Sequence, residues 1–277
     1  MTLIDGRPLA AELRQQLAAA VSELAATGLE PTLAAVVATP DRATEWYLRS
    51  LARAAAPAGI VMREVGVEEG DAGGVIAALD ELSADPGVHG IICLTPLPDG
   101  LDLAEAGEHI APAKDVDGAN PTSLGRLAAG LPAFAPATAW AVLEILRAWG
   151  TDLNGAEAVV VGRSTVVGKP LALLLLAANA TVTVCHSRTR GLAAVTRRAD
   201  VLVAAVGRAR LIGAEHVREG AVVIDVGTNA TDAGGLVGDV DTAAVEAVAS
   251  AVTPVPGGVG AVTTAVLLGN VLRAAGG

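Results

Sequence analysis

Apolar and polar positions alternate along the chain in a way that predicts helices between strands. From Pro8 to Ala26, apolar residues recur at helical spacing with polar Glu12 and Arg14 between them, which indicates an amphipathic helix. The segments that follow predict strands at 33–38, 61–65 and 88–94 and helices at 44–58 and 74–84. Because strand, helix and strand follow one another, the pattern favours βαβ crossovers and a parallel sheet.

A second alternating series follows a segment rich in proline and glycine between Pro96 and Pro136. This series predicts helices at 139–150, 168–179 and 191–199 and strands at 158–162, 181–185, 201–206 and 221–226. We therefore expect an α/β fold with two domains, each a parallel or mostly parallel sheet with flanking helices. The C-terminal domain is expected to be Rossmann-like.

Composition and charge narrow the classes of partner. Of the 277 residues, 52% are hydrophobic but only 2% are aromatic, so the core must consist of Ala, Val, Leu and Ile. The net charge of −11 argues against a nucleic-acid or anionic-membrane partner. Cys93 and Cys185 lie apart and predict neither a disulfide nor a zinc site, and the His, Asp and Glu spacing suggests no other metal site. With no signal peptide at Met1, these features predict a cytoplasmic protein.

The clearest candidate site is a loop between a strand and a helix, from Gly162 to Pro170. Its glycines allow close approach of a ligand, and free N–H groups at the start of the following helix favour a pyrophosphate. The spacing differs from the general dinucleotide fingerprint, and an ordinary tight turn is the alternative. Asp225 and Asp239 end strands, where carboxylates often cap turns.

The end of the next strand predicts the choice of nucleotide. An Asp or Glu there would bind the ribose hydroxyls of NAD, but the sequence reads Cys185-His186-Ser187-Arg188. Ser187 and Arg188, with Arg163 from the preceding loop, offer donors and positive charge to a 2′-phosphate. The sequence therefore favours NADP over NAD, unless these arginines are simple surface residues.

Several blocks in order give the chain a resemblance to the bifunctional methylenetetrahydrofolate dehydrogenase/cyclohydrolase family. The blocks are Ile4-Asp5-Gly6, Lys114-Asp115-Val116-Asp117-Gly118, Val160-Val161-Gly162-Arg163-Ser164, Val167-Gly168-Lys169-Pro170, Cys185-His186-Ser187, Ile224-Asp225-Val226-Gly227, Gly238-Asp239-Val240-Asp241 and Thr253 to Gly260. The resemblance covers nearly the whole chain.

The resemblance implies a folate-type substrate domain at 1–138 plus 262–277 and an NADP-binding domain at 139–261. It implies that the substrate binds in the cleft between the two domains. It also implies a homodimer formed mostly through the nucleotide domain. It implies that Tyr47 lies against the folate, that Asp117 binds the pterin, and that Arg163 and Ser187 contact the 2′-phosphate. The expected cofactor-binding set is Gly162, Arg163, Ser164, Val167, Gly168, Ser187, Arg188, Gly207 and Thr228. The expected substrate-binding set is Tyr47, Leu51, Leu94, Asp117, Pro256, Gly257 and Gly258.

Several positions depart from the family pattern, among them two blocks at 136–139 and 258–262 and two positions that carry catalytic side chains in the family. The catalytic lysine of the family's Tyr-x-x-x-Lys-x-Lys motif is Leu51 here, and the glutamine of its Val-Gln-Leu-Pro motif is Leu94. Arg49 and Arg53 are not assigned the role of the lysine, because Tyr47 and position 51 share a helix face that residues 49 and 53 do not.

These changes predict the loss of one of two activities. Hydride removal from 5,10-methylenetetrahydrofolate requires positioning of the substrate rather than a protein acid or base. Tyr47 and Asp117 are the catalytic-site residues that this chain retains. Hydrolysis of the methenyl product, in contrast, requires proton transfer. We therefore expect an NADP-dependent dehydrogenase with cyclohydrolase activity lost or weak. The alternatives are an ordinary bifunctional enzyme, a dehydrogenase acting on a different cyclic N,N-acetal or amine, and a nucleotide-binding relative without activity.

Overall fold

The computed structural model describes residues 1–39, 42–231 and 234–276. The helices are α1 (Gly6–Ala25), α2 (Arg42–Ala55), α3 (Ala72–Ala84), α4 (Leu103–Glu108), α5 (Pro121–Ala128), α6 (Ala137–Ala148), α7 (Gly168–Ala177), α8 (Leu192–Thr196), α9 (Thr242–Val245) and α10 (Val259–Ala274). The strands are β1 (Thr2–Leu3), β2 (Thr32–Val37), β3 (Val61–Gly66), β4 (Gly90–Leu94), β5 (Glu157–Val161), β6 (Thr181–Cys185), β7 (Val201–Ala204), β8 (Val222–Asp225), β9 (Asn229–Ala230), β10 (Leu236–Val237) and β11 (Ala251–Val252). Short 3₁₀ turns lie at Ala56–Ala58 and Ala214–His216.

The chain divides into two compact units. Each contains a parallel sheet with helices, which confirms the expected α/β architecture. The first, which we call the nucleotide unit, comprises Met1–Ala10 and Thr138–Thr263. The second, which we call the substrate unit, comprises Ala11–Ala137 and Thr264–Gly277. The domain bounds expected from the resemblance place residues 1–10 in the other domain, and as a division into domains they stay a prediction.

A six-stranded parallel sheet forms the centre of the nucleotide unit, in the order β1-β11-β8-β7-β5-β6. Every residue of β7 is buried, as is every residue of β5 and β8 after the first, which the continuous apolar runs predict for a parallel sheet. Residues 1–10 belong here because β1 pairs in parallel with β11. A two-residue strand is too short to show a period, so β1, β11 and the antiparallel pair β9 and β10 were not predicted.

The substrate unit contains a parallel sheet in the order β3-β2-β4. Its core packs Ala34 and Val36 of β2 and Ile91 of β4 against Val75 and Leu79 of α3. The side chain of Asp71 accepts the N–H of Gly74 and so caps the start of α3, which explains why that helix begins two residues before its predicted start. Within the loop-rich segment 96–136, asparagine and aspartate caps begin the short helices α4 and α5.

The end of α10 belongs to the substrate unit, as the resemblance implies. The buried side chain of Asn270 donates a hydrogen bond to the carbonyl of Val116, 2.8 Å away, and the Arg273 guanidinium lies 5.0 Å from the ring centre of Phe134. Among the described residues, no helix is both long and apolar enough to cross a membrane.

Candidate active site

The expected cofactor-binding residues lie along one edge of the six-stranded sheet. In a parallel sheet the carboxyl ends of the strands meet at the same edge, which is where nucleotides bind in open α/β folds. Gly162 follows β5, Ser187 follows β6, Gly207 follows β7 and Thr228 follows β8. The structure therefore brings together residues that are up to 66 positions apart in the chain, from Gly162 to Thr228.

Glycine is required at both ends of the loop after β5. Gly162 has a φ of +136°, and a Cβ atom there would lie 2.1 Å from the carbonyl oxygen of Ala205. A Cβ atom on Gly168 would lie 2.2 Å from the carbonyl oxygen of Gly162. Both distances are below any tolerable contact, so the loop turns tightly between β5 and the first residue of α7.

Ser164 shapes this loop from within. Its hydroxyl oxygen accepts the N–H of Val167 at 3.1 Å and that of Gly168 at 3.4 Å, while its carbonyl accepts the N–H of Lys169. The resemblance gives Ser164 only as a cofactor contact. The structure adds a local role, because the hydroxyl orients the N–H groups at the start of α7.

The donors that are expected to favour NADP over NAD are exposed to solvent. Arg163, Ser187 and Arg188 are all exposed. The turn that carries Ser187 is held by His186, whose Nδ1 accepts the N–H of Arg188 and whose own N–H is donated to the Thr189 hydroxyl. A guanidinium pair, a hydroxyl and a ten-residue helix N-terminus are the chemistry that a phosphorylated nucleotide requires, so these residues fit the expected cofactor.

Tyr47 and Asp117 are close neighbours in the substrate unit. Tyr47 lies on α2 and is half-buried, and burial, followed by the charge of Asp117, raises its pKa well above the usual range. Tyr47 therefore remains a neutral phenol at neutral pH.

The carboxylate of Asp117 is held in place by one main-chain donor. Its Oδ1 accepts the N–H of Ala137 at 3.0 Å. Burial raises the pKa of Asp117 to about 6, against the hydrogen bond from Ala137, and the charge of Asp115 raises it further. Asp117 is thus ionised at neutral pH.

The residues at the lysine and glutamine positions are apolar, and both are at least partly buried. Leu51 lies one turn beyond Tyr47 on α2 and is 1% exposed. Leu94 is the half-buried last residue of β4. Arg49 is 66% exposed and lies 3.6 Å from Glu45, so it points away from the buried face that Leu51 occupies. Whether Arg49 takes the role of the lysine stays a prediction from the sequence.

The loop from Pro256 to Gly258 lies in the nucleotide unit, beside the start of α1. The N–H of Gly6 donates to the carbonyl of Gly257 at 2.9 Å, and a Cβ atom on Gly6 would lie 2.3 Å from the carbonyl oxygen of Gly258. A Cβ atom on Gly257 would lie 3.6 Å from Nε of Arg7, which is ordinary van der Waals contact. No local pattern in the sequence indicates this contact, although Gly6 stands in a block that matches the family.

Sequence reasoning missed a network of buried carboxylates at the same sheet edge. Asp225 accepts the N–H groups of Gly227, Asp239 and Val240, and Asp239 accepts those of the turn after β7. Burial raises the pKa of Asp225 to about 6 in spite of these hydrogen bonds.

In the part of the chain that the structure describes, no group of three His, Cys, Asp or Glu side chains could hold a metal ion.

Comparison with known proteins matches both units to one family. The catalytic domain of tetrahydrofolate dehydrogenase/cyclohydrolase matches residues 4–117, and the NAD(P)-binding domain of the same enzymes matches residues 136–276. The chain belongs to the tetrahydrofolate dehydrogenase/cyclohydrolase family. This confirms the resemblance drawn from the sequence blocks.

Relatives in the tetrahydrofolate dehydrogenase/cyclohydrolase family match over 97% or more of their length. The bifunctional protein FolD of Parafrankia sp. (strain EAN1pec) is 60% identical, with all of both chains covered. The crystal structure of the bifunctional enzyme FolD from Campylobacter jejuni has a TM-score of 0.96 at 39% identity, covering 100% of this chain and 99% of that one. FolD from Trypanosoma brucei, solved with NADP cofactor and an inhibitor, has a TM-score of 0.93 at 34% identity and covers 100% and 97%.

Proposed function

We propose that this protein oxidises 5,10-methylenetetrahydrofolate with NADP. The observation that carries the proposal is the set of exposed donors, Arg163, Ser187 and Arg188, at the carboxyl edge of a Rossmann-like sheet in a chain of this family. The turn after β6 carries no acid that would repel a 2′-phosphate. The Trypanosoma brucei relative, whose structure contains NADP, supports the same nucleotide.

The reaction places few chemical demands on the side chains. The bound nucleotide supplies the hydride acceptor, and nitrogen lone pairs in the substrate stabilise the cation that remains. We propose that the ionised Oδ2 of Asp117 accepts N–H groups of the pterin ring and that the neutral ring of Tyr47 packs against it. Together they orient the bridging carbon, and positioning is the main requirement of hydride transfer.

The apolar side chains at positions 51 and 94 bear on the second activity of the family. Hydrolysis of the methenyl product needs a group that moves protons, and neither leucine can do so. Leu51 is also fully buried, so water has no access at that point. The loss of cyclohydrolase activity stays a prediction based on these two residues.

A second candidate function is that of the ordinary bifunctional enzyme. The relative with 60% identity is named a bifunctional protein, as are further relatives that are 54% and 56% identical. These names favour the bifunctional alternative over the predicted loss of hydrolysis. Under this alternative, a group other than the lysine, within reach of Tyr47 and Asp117, activates water.

Separate measurement of the two reactions tests the proposal. NADPH formation and methenyl hydrolysis are followed independently with the wild-type protein, with NADP and NAD compared as acceptors. Turnover with NADP and a folate substrate supports the dehydrogenase, whereas NADP binding without any folate turnover contradicts it and indicates the relative without activity. Competition by a folate analogue distinguishes a folate from another cyclic acetal. Hydrolysis at a rate similar to oxidation would establish the bifunctional alternative.

A gain-of-function variant examines the role of the two leucines. If Leu51 and Leu94 abolish hydrolysis, Leu51→Lys combined with Leu94→Gln raises the hydrolysis rate while oxidation continues. The matched control is Arg49→Lys combined with Leu94→Gln, which places a lysine on the same helix at an exposed position that points away from the face of Leu51. An equal rise in the control would show that any lysine on α2 suffices.

The assembly and location of the protein are also proposals. We propose a homodimer formed through the nucleotide unit, where Leu176 of α7 and Val184 of the edge strand β6 are 60% and 39% exposed. Sedimentation of the protein tests this, since replacement of Val184 by Glu should yield monomers. The cytoplasmic location predicted from the separate cysteines stays a prediction that fractionation of cells would test.

A further inference from the structure

Asp239 fills a pocket of main-chain N–H groups directly after β7. Its Oδ2 accepts the N–H of Val206 at 2.6 Å and that of Gly207 at 3.0 Å, and its Oδ1 accepts the N–H of Arg208 at 2.7 Å. Gly207 has a φ of +64°, which points three successive N–H groups inward. Such a concavity normally binds an anion. Here the anion is a side chain of the protein, and it is fully buried.

The same carboxylate also holds the loop after β8. The side-chain amide of Asn229 donates to Oδ1 of Asp239 at 3.0 Å. Asn229 directly follows Thr228, and both Thr228 and Gly207 belong to the expected cofactor-binding set. Asp239 therefore joins two neighbouring loops at the sheet edge where the nucleotide is proposed to bind.

Asp225 fixes the main chain of Asp239. Its Oδ1 accepts the N–H of Asp239 and its Oδ2 the N–H of Val240, both at 2.9 Å. Glycine is required on either side of the pair, because a Cβ atom on Gly238 would overlap Asp225 and one on Gly227 would overlap Asp239. The carboxylate of Asp239 thus has little freedom to move.

The order of the strands decides which part of a dinucleotide meets these loops. The strands run β8-β7-β5-β6, with the proposed 2′-phosphate donors after β6 and the glycine loop after β5. A dinucleotide that spans the edge in this order places its nicotinamide half over β7 and β8. Because Asp239 occupies the N–H groups after β7, these groups are not free to bind a phosphate.

We propose that Asp239 is a positioning residue that shapes the loop 206–208 for the nicotinamide half of NADP. The inference rests on the proposed function, since it assumes that NADP binds at this edge. It goes beyond that function by assigning a role to a residue that does not touch the cofactor. A purely structural carboxylate would support the fold and would not favour one half of the nucleotide over the other.

Asp239→Asn is the variant that tests the role. The asparagine keeps one oxygen acceptor but places an amide N–H₂ against main-chain donors, so the loop 206–208 must move. The matched control is Asp200→Asn, which removes the same charge at the opposite end of β7, where Asp200 accepts the N–H of Glu157 and pairs with Arg218.

Two probes separate the halves of the cofactor. Calorimetry gives the Kd of NADP and of adenosine 2′,5′-bisphosphate, which lacks the nicotinamide half. We expect Asp239→Asn to weaken NADP binding about tenfold, the size of one lost hydrogen bond to a charged group, and to leave binding of the bisphosphate unchanged. We also expect a lower kcat at saturating NADP, because the nicotinamide ring is misplaced. Asp200→Asn should alter neither Kd.

The possible outcomes decide between the roles. Equal weakening of both probes, or no change in either, overturns the positioning role while leaving the proposed function intact. Failure of the wild-type protein to bind NADP overturns the proposed function and this inference together. Should Asp239→Asn not fold, Asn229→Ala removes one hydrogen bond to the same carboxylate and keeps the three main-chain donors. It should weaken NADP by a smaller factor without affecting the bisphosphate, and any other pattern contradicts the role.

Discussion

At the scale of single residues, Asp117 couples burial to the proposed binding of the pterin. A carboxylate binds N–H donors well only when it is ionised, but burial disfavours that form and raises the pKa of Asp117 to about 6. The N–H of Ala137 works in the opposite direction because it stabilises the charged oxygen. The balance places the titration just below neutral pH.

The titration of Asp117 predicts a pH dependence of the dehydrogenase. Below about pH 6 the protonated carboxyl no longer accepts from the pterin, so kcat/KM for the folate should fall about tenfold per pH unit and level off above that pH. Tyr47 stays neutral throughout, so it adds no second step. The measurement is kcat/KM against pH at saturating NADP. Asp117→Asn should give a lower and flat profile, and an unchanged profile in that variant would exclude Asp117 as the titrating group.

At the scale of elements, Lys114 shows how a motif can mix structural and functional residues. It stands in the same block as Asp117, yet its ammonium group donates to the carbonyls of Leu82, at 3.2 Å, and Asp85, at 2.6 Å. These carbonyls lie at the end of α3, where a helix leaves acceptors without partners and favours a positive charge. Lys114 is therefore a cap of α3.

Removal of this cap should destabilise the protein. We expect Lys114→Met to lower the free energy of unfolding by about 1–3 kcal/mol, the range for lost hydrogen bonds to a charged group. Urea unfolding measures the change. Arg53→Met serves as the control, because Arg53 is exposed at the end of α2 and contacts only a carbonyl of its own helix among the described residues. A shift in the control as large as that of Lys114→Met would argue against the cap.

The elements that could be predicted from the sequence are those with long periodic patterns. The strand at Thr181–Cys185 has its predicted bounds, and the strand at Glu157–Val161 differs by one residue at each end. Helix α8 is shorter than the predicted 191–199. It ends at Thr196, and Arg197 is its C-cap, so the buried Ala199 lies beyond the helix. Two-residue strands such as β1 depend on a partner about 250 residues away, which no local pattern encodes.

The site shows the same division between local and distant information. Residues that precede or follow a predicted strand, such as Gly162 and Ser187, could be placed at the sheet edge from the sequence alone. Asp239 could not, because its role depends on three N–H groups donated by a turn 31 to 33 residues earlier in the chain. From the sequence it was interpreted only as a cap of its own turn.

At the scale of the whole molecule, the first ten residues contribute to a loop near the end of the chain. β1 pairs with β11, and the N–H of Ile4 continues the pairing to the carbonyl of Val252. This brings Gly6 against Gly257 and Gly258, which the resemblance implies are substrate-binding residues. The match of Ile4-Asp5-Gly6 to the family therefore has a physical reason in the nucleotide unit.

The contact predicts a selective effect of Gly6→Ala. The new Cβ atom would lie 2.3 Å from the carbonyl oxygen of Gly258, and because that atom is main chain, the loop itself must move. We expect kcat of the dehydrogenase to fall about tenfold or more, as displacement of a positioning loop does, with binding of adenosine 2′,5′-bisphosphate unchanged. Gly73→Ala is the control, since it also adds a methyl group in a first helical turn but meets only ordinary contact, 3.5 Å from Asp71. Full activity of Gly6→Ala would show that the loop adapts, and that the start of the chain does not set its position.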